Sequence, residues 1–201
     1  MNGDVIETIK ISDTIRAEII EDENPESPRE WDNLGVMICF HRRYNLGDKS
    51  VIKINFEDFD GWDALEEYLA TTLEASVILP LYLMDHSGIS ISTKSFNDAW
   101  DSGQVGFIYV TKKGILQEFG KKILTLSLKD KAKEILEQEV KTYNQFLTGE
   151  VYGFQVIKTE ICDKCHEPHE EVIESCGGFF GLEATKNELE DVLKKIKEEE
   201  E

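Results

Sequence analysis

The chain has 201 residues, 40% of them hydrophobic and 9% aromatic, enough to bury a core without disulfide support. Its 41 acidic residues outnumber 22 basic ones, and the net charge of −19 repels naked nucleic acid from most of any surface it forms. No run of 18 apolar residues and no basic-then-apolar leader occurs. The expectation is therefore one cytoplasmic domain over residues 1–201 with no membrane partner.

In chain order, the opening reads as two strands. Val5–Ile11 and Thr14–Ile20 are β-branched with partial alternation, joined by a turn at Ser12-Asp13. Residues Glu21–Pro28 carry two prolines and four acids, a loop composition. Leu34–Phe40 reads as a buried strand, His41–Asp48 as a polar excursion, and Val51–Phe56 as a returning strand. Asp60 is placed to cap a helix whose apolar face is Trp62, Leu65, Leu69 and Leu73. Val77–Met84 is an apolar strand in which Pro80 removes a donor, so an edge or bulge is expected there. Asp85–Gln104 is polar, hydroxyl-rich and read as a long loop, and Val105–Val110 is a buried strand.

A capping box at Ser127 and Asp130 opens a helix with the stripe Leu128, Ala132, Ile135, Leu136, Tyr143, Phe146 and Leu147, stopped at Gly149. Glu150–Lys158 is a strand. A second capping box at Thr185 and Glu188 opens a last helix with the face Leu189, Val192, Leu193 and Ile196. Strands and helices mix without βαβ alternation, so the expected fold is α+β: a mainly antiparallel sheet, about three helices and a zinc-stapled hairpin.

The zinc expectation comes from Cys162 to Cys176, which holds three of four cysteines and two of four histidines. A Cys-x-x-Cys turn sets two thiolates a metal's width apart, and zinc takes thiolates and imidazoles tetrahedrally. The expected ligands are Cys162, Cys165, His169 and Cys176, with His166 the alternative to His169, in a subregion over 157–181. Four protein ligands close the site, making the zinc structural. A redox dithiol and c-type haem attachment are the competing readings of the same spacing. Cys39 lies in an apolar strand as an inert core residue.

Charge is uneven. Between Ile54 and Thr93 there is no Lys or Arg, yet eight acids occur. Glu18–Asp32 carries seven acids against Arg29, and Thr111–Lys133 carries seven lysines against Glu118 and Asp130. Solubility accounts for acidity in general; a concentrated stretch also fits a basic partner. The expected partner-binding residues are Glu57, Asp58, Asp60, Asp63, Glu66 and Glu67, extended by Glu21, Asp22, Glu23 and Glu26.

No catalytic residue is assigned. Asp85, His86, Ser87 and Ser90 invite a nucleophile-and-base account, but adjacent Ser and His rarely reach catalytic geometry, and no Gly-x-Ser-x-Gly elbow is present. A ligand pocket lined by His86, Trp100, Asp101 and Gln104 is the alternative to a plain loop.

Several stretches in combination carry a resemblance: Trp31–Gly35, Cys39–Asp48, Asp85–Gly88, Trp100–Tyr109, Tyr143–Gly149, Tyr152–Phe154 and Glu174–Gly181. Together they resemble a family of small proteins encoded by bacteriophages and mobile elements, over Trp31 to Gly181. The family has an aromatic before its Gly-Phe-Phe-Gly run where this chain has Gly177. The resemblance implies a phage or mobile-element source and brings no catalytic residues. Small acidic phage accessory proteins, anti-CRISPR and anti-restriction proteins among them, often neutralise host defences, some by mimicking DNA charge. The leading expectation is such an inhibitor. It binds the basic surface of a host nucleic-acid-targeting defence protein in the bacterial cytoplasm, without binding nucleic acid itself. The alternative is a nucleotide-sequestering protein that uses Asp85–Gln104 with His41, Arg42 and Arg43 near the phosphates; a hydrolytic enzyme built on His86 ranks third.

Overall fold

A computed structural model describes residues 3–49, 54–98, 100–163 and 166–199. In chain order the elements are β1 (Val5–Lys10), β2 (Ile15–Glu21), β3 (Val36–Cys39), α1 (Trp62–Thr71), β4 (Ala75–Asp85), β5 (Ile89–Ser92), β6 (Ser102–Thr111), α2 (Lys112–Glu118), α3 (Leu126–Leu147), β7 (Val151–Ile161), β8 (Pro168–Phe180) and α4 (Leu182–Glu199). The fold is α+β, with two antiparallel sheets and four helices among the described residues. No helix among them is long and apolar enough to cross a membrane.

Against the single domain expected over 1–201, the chain forms two compact units. One is residues 1–26 with 149–201, the other residues 27–148. The division is hard to read in sequence because β2 pairs with β7, which closes the first unit across the inserted second one.

The first unit is a sheet of order β1-β2-β7-β8. Ile15, Ala17 and Ile19 alternate inward on β2 and meet Phe154 and Val156 of β7. α4 covers them with Leu189, Val192, Leu193 and Ile196, the stripe its 3.6-residue spacing requires. Its start differs from the expected capping box: the helix begins at Leu182, and Thr185 is buried inside it, donating its hydroxyl to the carbonyl of Gly181 at 3.2 Å.

The second unit is a sheet of order β3-β6-β4-β5 with a helix on each face. Ile108 and Val110 of β6 join Met37, Leu81 and the Ala132, Leu136, Val140 and Tyr143 stripe of α3. Phe107 and Tyr109 join Leu65 and Leu69 of α1. Burial on both faces explains the apolar stretch Val105–Val110 within β6. Gly106 lies between them because a Cβ there would meet the carbonyl oxygen of Ile38. Pro80 pairs with Phe107 on one side, while β5 reaches only Tyr82–Asp85 on the other. Its missing donor therefore faces a local edge, beside a bulge at Leu81/Tyr82.

Four local expectations are corrected. Gly61, at φ 87, occupies the cap of α1 with no side-chain bond, leaving Asp60 exposed. α3 starts at Leu126, capped by Thr125 through the Leu128 N–H, ahead of the Ser127 box. The segment Asp85–Gln104 is not one loop: Ser87 and Gly88 take positive φ and turn the chain into β5. Thr111 caps α2, a short helix the pattern did not announce. Of the expected strand Val51–Phe56, residues 51–53 lie outside the described residues, 54 and 55 are not in a strand, and Phe56–Asp58 is a 3-10 turn.

Candidate functional site

The acids at 57–67 form a surface built by packing on its opposite side. Trp62 stands 4.2 Å, ring centre to ring centre, from Phe56 and 5.9 Å from Phe107, edge to face. With Leu65 and Leu69 fully buried, α1 is fixed by its apolar face. Glu57, Asp58, Asp60, Asp63, Glu66 and Glu67 are all exposed. Asp63, Glu66 and Glu67 are spaced i, i+3 and i+4, which puts their Cβ atoms about 5–6 Å apart on the outer face. No ion pair among the described residues reaches any of the six. Elsewhere the helices do balance charge, as in Lys133–Glu137 on α3 and Lys194–Asp191 on α4. Like charges at these spacings cost a helix about 0.2–0.5 kcal/mol per pair. The local structure tolerates that cost rather than offsetting it. Of the loop acids, Glu23 is exposed and Asp22 accepts the N–H of Asn24 at 3.1 Å.

A second constellation forms at one end of the second unit's sheet. The backbone N–H of Asp85, at the end of β4, donates to the carbonyl of Asp101 beside β6 at 2.8 Å. The Asp85 carboxylate then receives Arg43 and the Tyr44 hydroxyl, the latter at 3.1 Å. His86 Nδ1 lies 2.8 Å from Asp101 Oδ2. The ring's partner is thus a carboxylate and not a neighbouring serine hydroxyl, as the adjacency argument requires. His41 stacks on Tyr44 at 4.9 Å and 10°, and the Arg43 guanidinium lies over the same ring at 5.4 Å. The structure therefore joins the two segments, His41–Asp48 and Asp85–Gln104, that the sequence singled out separately. The four residues of the alternative pocket are not gathered: His86 meets Asp101, but Trp100 is 97% exposed, and the Gln104 amide donates to the Gly106 carbonyl at 3.4 Å.

The far end of the 41–48 loop rests on a buried ion network that sequence reasoning missed. Arg29, its side chain 3% exposed, donates to both carboxylate oxygens of Asp48 at 2.7 and 2.9 Å, to Glu139 at 3.0 Å and to the Gly35 carbonyl at 2.7 Å. Asp48 also accepts the Met37 N–H, and Glu139 the N–H groups of Leu34 and Gly35. Burial works against the Arg29 charge, but its hydrogen bonds to Asp48 and the nearby carboxylates raise its pKa overall. Close by, burial first and then the Asp48 charge push the Cys39 thiol up to about 12. That fits the inert core role expected for it. A recess of about 680 Å3 beside this network is lined by Pro28, Trp31, Phe119 and Ile135, and by Glu139, whose carboxylate the network already occupies.

The cysteine cluster sits on the β7–β8 hairpin. Its turn is closed by the Cys162 N–H donating to the Glu167 carbonyl at 3.0 Å, with His166 at φ 58. His169 pairs across from Glu160, next to the turn, but Cys176 pairs across from Phe154. Their partners on β7, Glu160 and Phe154, are six positions apart, roughly 20 Å of strand rise. Two ligands of one zinc lie no more than about 4.6 Å apart. His169 and Cys176, expected to share one zinc, are therefore too far apart along the hairpin to do so, and no group of three metal-binding side chains occurs among the described residues. Cys165 lies outside those residues. Sequence spacing does not show this, because β8 runs back along β7 and carries Cys176 away from the turn, towards the body of the sheet. The hairpin is held by backbone pairing and by a two-pronged Arg16–Glu170 contact at 2.8 Å for each bond.

No protein-family model, no curated protein and no solved structure matches the chain.

Proposed function

We propose that the protein is a phage-encoded inhibitor of a host nucleic-acid-targeting defence protein, of the anti-CRISPR or anti-restriction kind, acting from the bacterial cytoplasm. It offers the face formed by Glu57, Asp58, Asp60, Asp63, Glu66 and Glu67 to the basic groove in which that protein holds nucleic acid. The observation that supports this reading is the lack of any cationic partner among the described residues for these six exposed carboxylates, three of them on α1, whose other side is packed in the core, and three on the turn and loop before it. Carboxylates about 5–6 Å apart lie within one Debye length of each other, about 10 Å at 0.1 M salt, so they attract a cationic surface jointly. They compete for the Lys and Arg groups that would otherwise contact phosphates. The phage source rests on the sequence resemblance.

A structural zinc enters this proposal only in reduced form, at the hairpin turn, with Cys162, Cys165 and one of the turn histidines; Cys176 has no part in it. The test of the docking face is competition: the protein should displace DNA from a purified defence effector, less well as salt rises, and Glu66→Lys with Glu67→Lys should weaken it.

A further inference from the structure

Four arginines occur in the chain, and three are matched to carboxylates: Arg16 to Glu18 and Glu170, Arg29 to Asp48 and Glu139, and Arg43 to Asp85. Arg42 is exposed and has no carboxylate partner among the described residues. Lysines such as Lys112 and Lys121 also have no carboxylate partner among the described residues, so what marks Arg42 is the recess it lines.

Arg42 lines a recess of about 370 Å3 together with His41 and Arg43. The chemistry of this lining is one-sided. His41 Nδ1 accepts the backbone N–H groups of Arg43 and Tyr44, both at 3.3 Å, so a neutral ring carries its proton on Nε2. The imidazole therefore offers a donor, and the two guanidiniums offer only donors. None of the three side chains leaves an acceptor uncommitted.

The walls of the recess, His41 and Arg43, are held in place before any ligand arrives. The His41 ring is set by its stack on Tyr44, and Arg43 by Asp85 and the Tyr44 ring. The loop's far end is closed by the bridge between Ile38 and Gly47, by the Gly47 N–H donating to the Tyr143 hydroxyl at 3.1 Å, and by Asp48 on Arg29. Donors fixed in advance lose little freedom on binding. Guanidinium forks match the paired oxygens of phosphate in particular.

We propose that this recess binds the phosphate group of a small phosphorylated ligand, such as a nucleoside diphosphate, with Arg42 as its principal contact and His41 and Arg43 as its walls. A nucleic-acid strand is the poorer occupant. Its many phosphates would run from a three-residue recess across a surface of net charge −19. The site is independent of the acidic face: substitutions at Glu66 and Glu67 leave it intact, and loss of Arg42 leaves competition with DNA intact.

Calorimetric titration of the full chain with inorganic diphosphate, with ADP and with a short single-stranded DNA, at about 50 mM salt, tests it. Diphosphate and ADP should each saturate at one per chain. Arg42→Ala should weaken both about tenfold or more without changing the melting temperature, while Lys112→Ala changes neither. Equal affinity for the two ligands identifies the phosphates as the whole determinant, and tighter ADP binding identifies a nucleotide; either result supports the site. Absence of saturation by both, unchanged affinity in Arg42→Ala, or tighter binding of the DNA strand would each overturn it.

Discussion

Replacing Arg29 by methionine removes the one cation that joins Asp48 to Glu139 inside the second unit. The guanidinium makes four hydrogen bonds of 2.7–3.0 Å, and its side chain is only 3% exposed, so little solvent is available to replace them. Removing one partner of a buried ion pair costs about 3–5 kcal/mol, mainly because the other charge is left uncompensated. Both carboxylates keep backbone donors here, Asp48 from Met37 at 2.8 Å and Glu139 from Leu34 at 2.8 Å, which places the loss at the lower end. We expect about 3 kcal/mol, or a fall in melting temperature of roughly 10 °C for a chain of this size. Urea unfolding should show a lower midpoint at unchanged slope. Arg29→Lys keeps the charge but not the two-pronged contact, so its loss should be intermediate. A methionine variant within about 0.5 kcal/mol of the parent would refute the reasoning, since a substitution that leaves buried charges unpaired does not fall in the range of ordinary surface changes.

Two other outcomes follow from the cysteines. With its thiol held up to about 12 by burial, Cys39 should stay unmodified by iodoacetamide at pH 8 in the native protein, while the exposed Cys176 reacts; peptide mapping reads both. An unfolded chain loses that proton near the ordinary value of 9.0, so this group's contribution to stability is complete below pH 9 and declines above it, and Cys39→Val should lessen the alkaline loss. Whatever zinc elemental analysis finds, Cys176→Ser should leave it unchanged, because Cys176 lies opposite Phe154 and away from the turn; a loss of zinc in that variant would contradict the register of the hairpin.

The parts of the fold legible in the sequence were those set by local periodicity. The Trp62, Leu65, Leu69 face of α1, the stripe of α3 and the alternation of β2 each follow from a repeat that burial on one side imposes. What escaped was decided over long separations. Nothing near Arg29 announces Glu139, 110 positions away, and nothing near β2 announces β7. Caps were misplaced where a competing residue served better: Gly61, at a φ that side chains avoid, displaced Asp60, and Thr125 preceded Ser127. For the candidate sites, exposure of the acids at 57–67 was readable because it is the complement of an apolar face. The meeting of Arg43 with Asp85 depends on sheet register and was not. For Cys176 the reason is the opposite: it is near His169 in sequence, but a strand separates residues faster than any other backbone conformation.

The most direct measurement of the central claim is the displacement of duplex DNA from a purified nucleic-acid-targeting defence effector by the parent chain and by the Glu66→Lys, Glu67→Lys double variant. Each exposed contact is worth about 0.2–1 kcal/mol, and reversal turns attraction into repulsion, so the double variant should compete at least about fourfold more weakly. The parent's advantage should shrink between 50 and 300 mM salt, a range over which the screening length falls to several ångströms. Equal competition by both proteins, indifferent to salt, would contradict the assignment of this face as the surface that meets a partner.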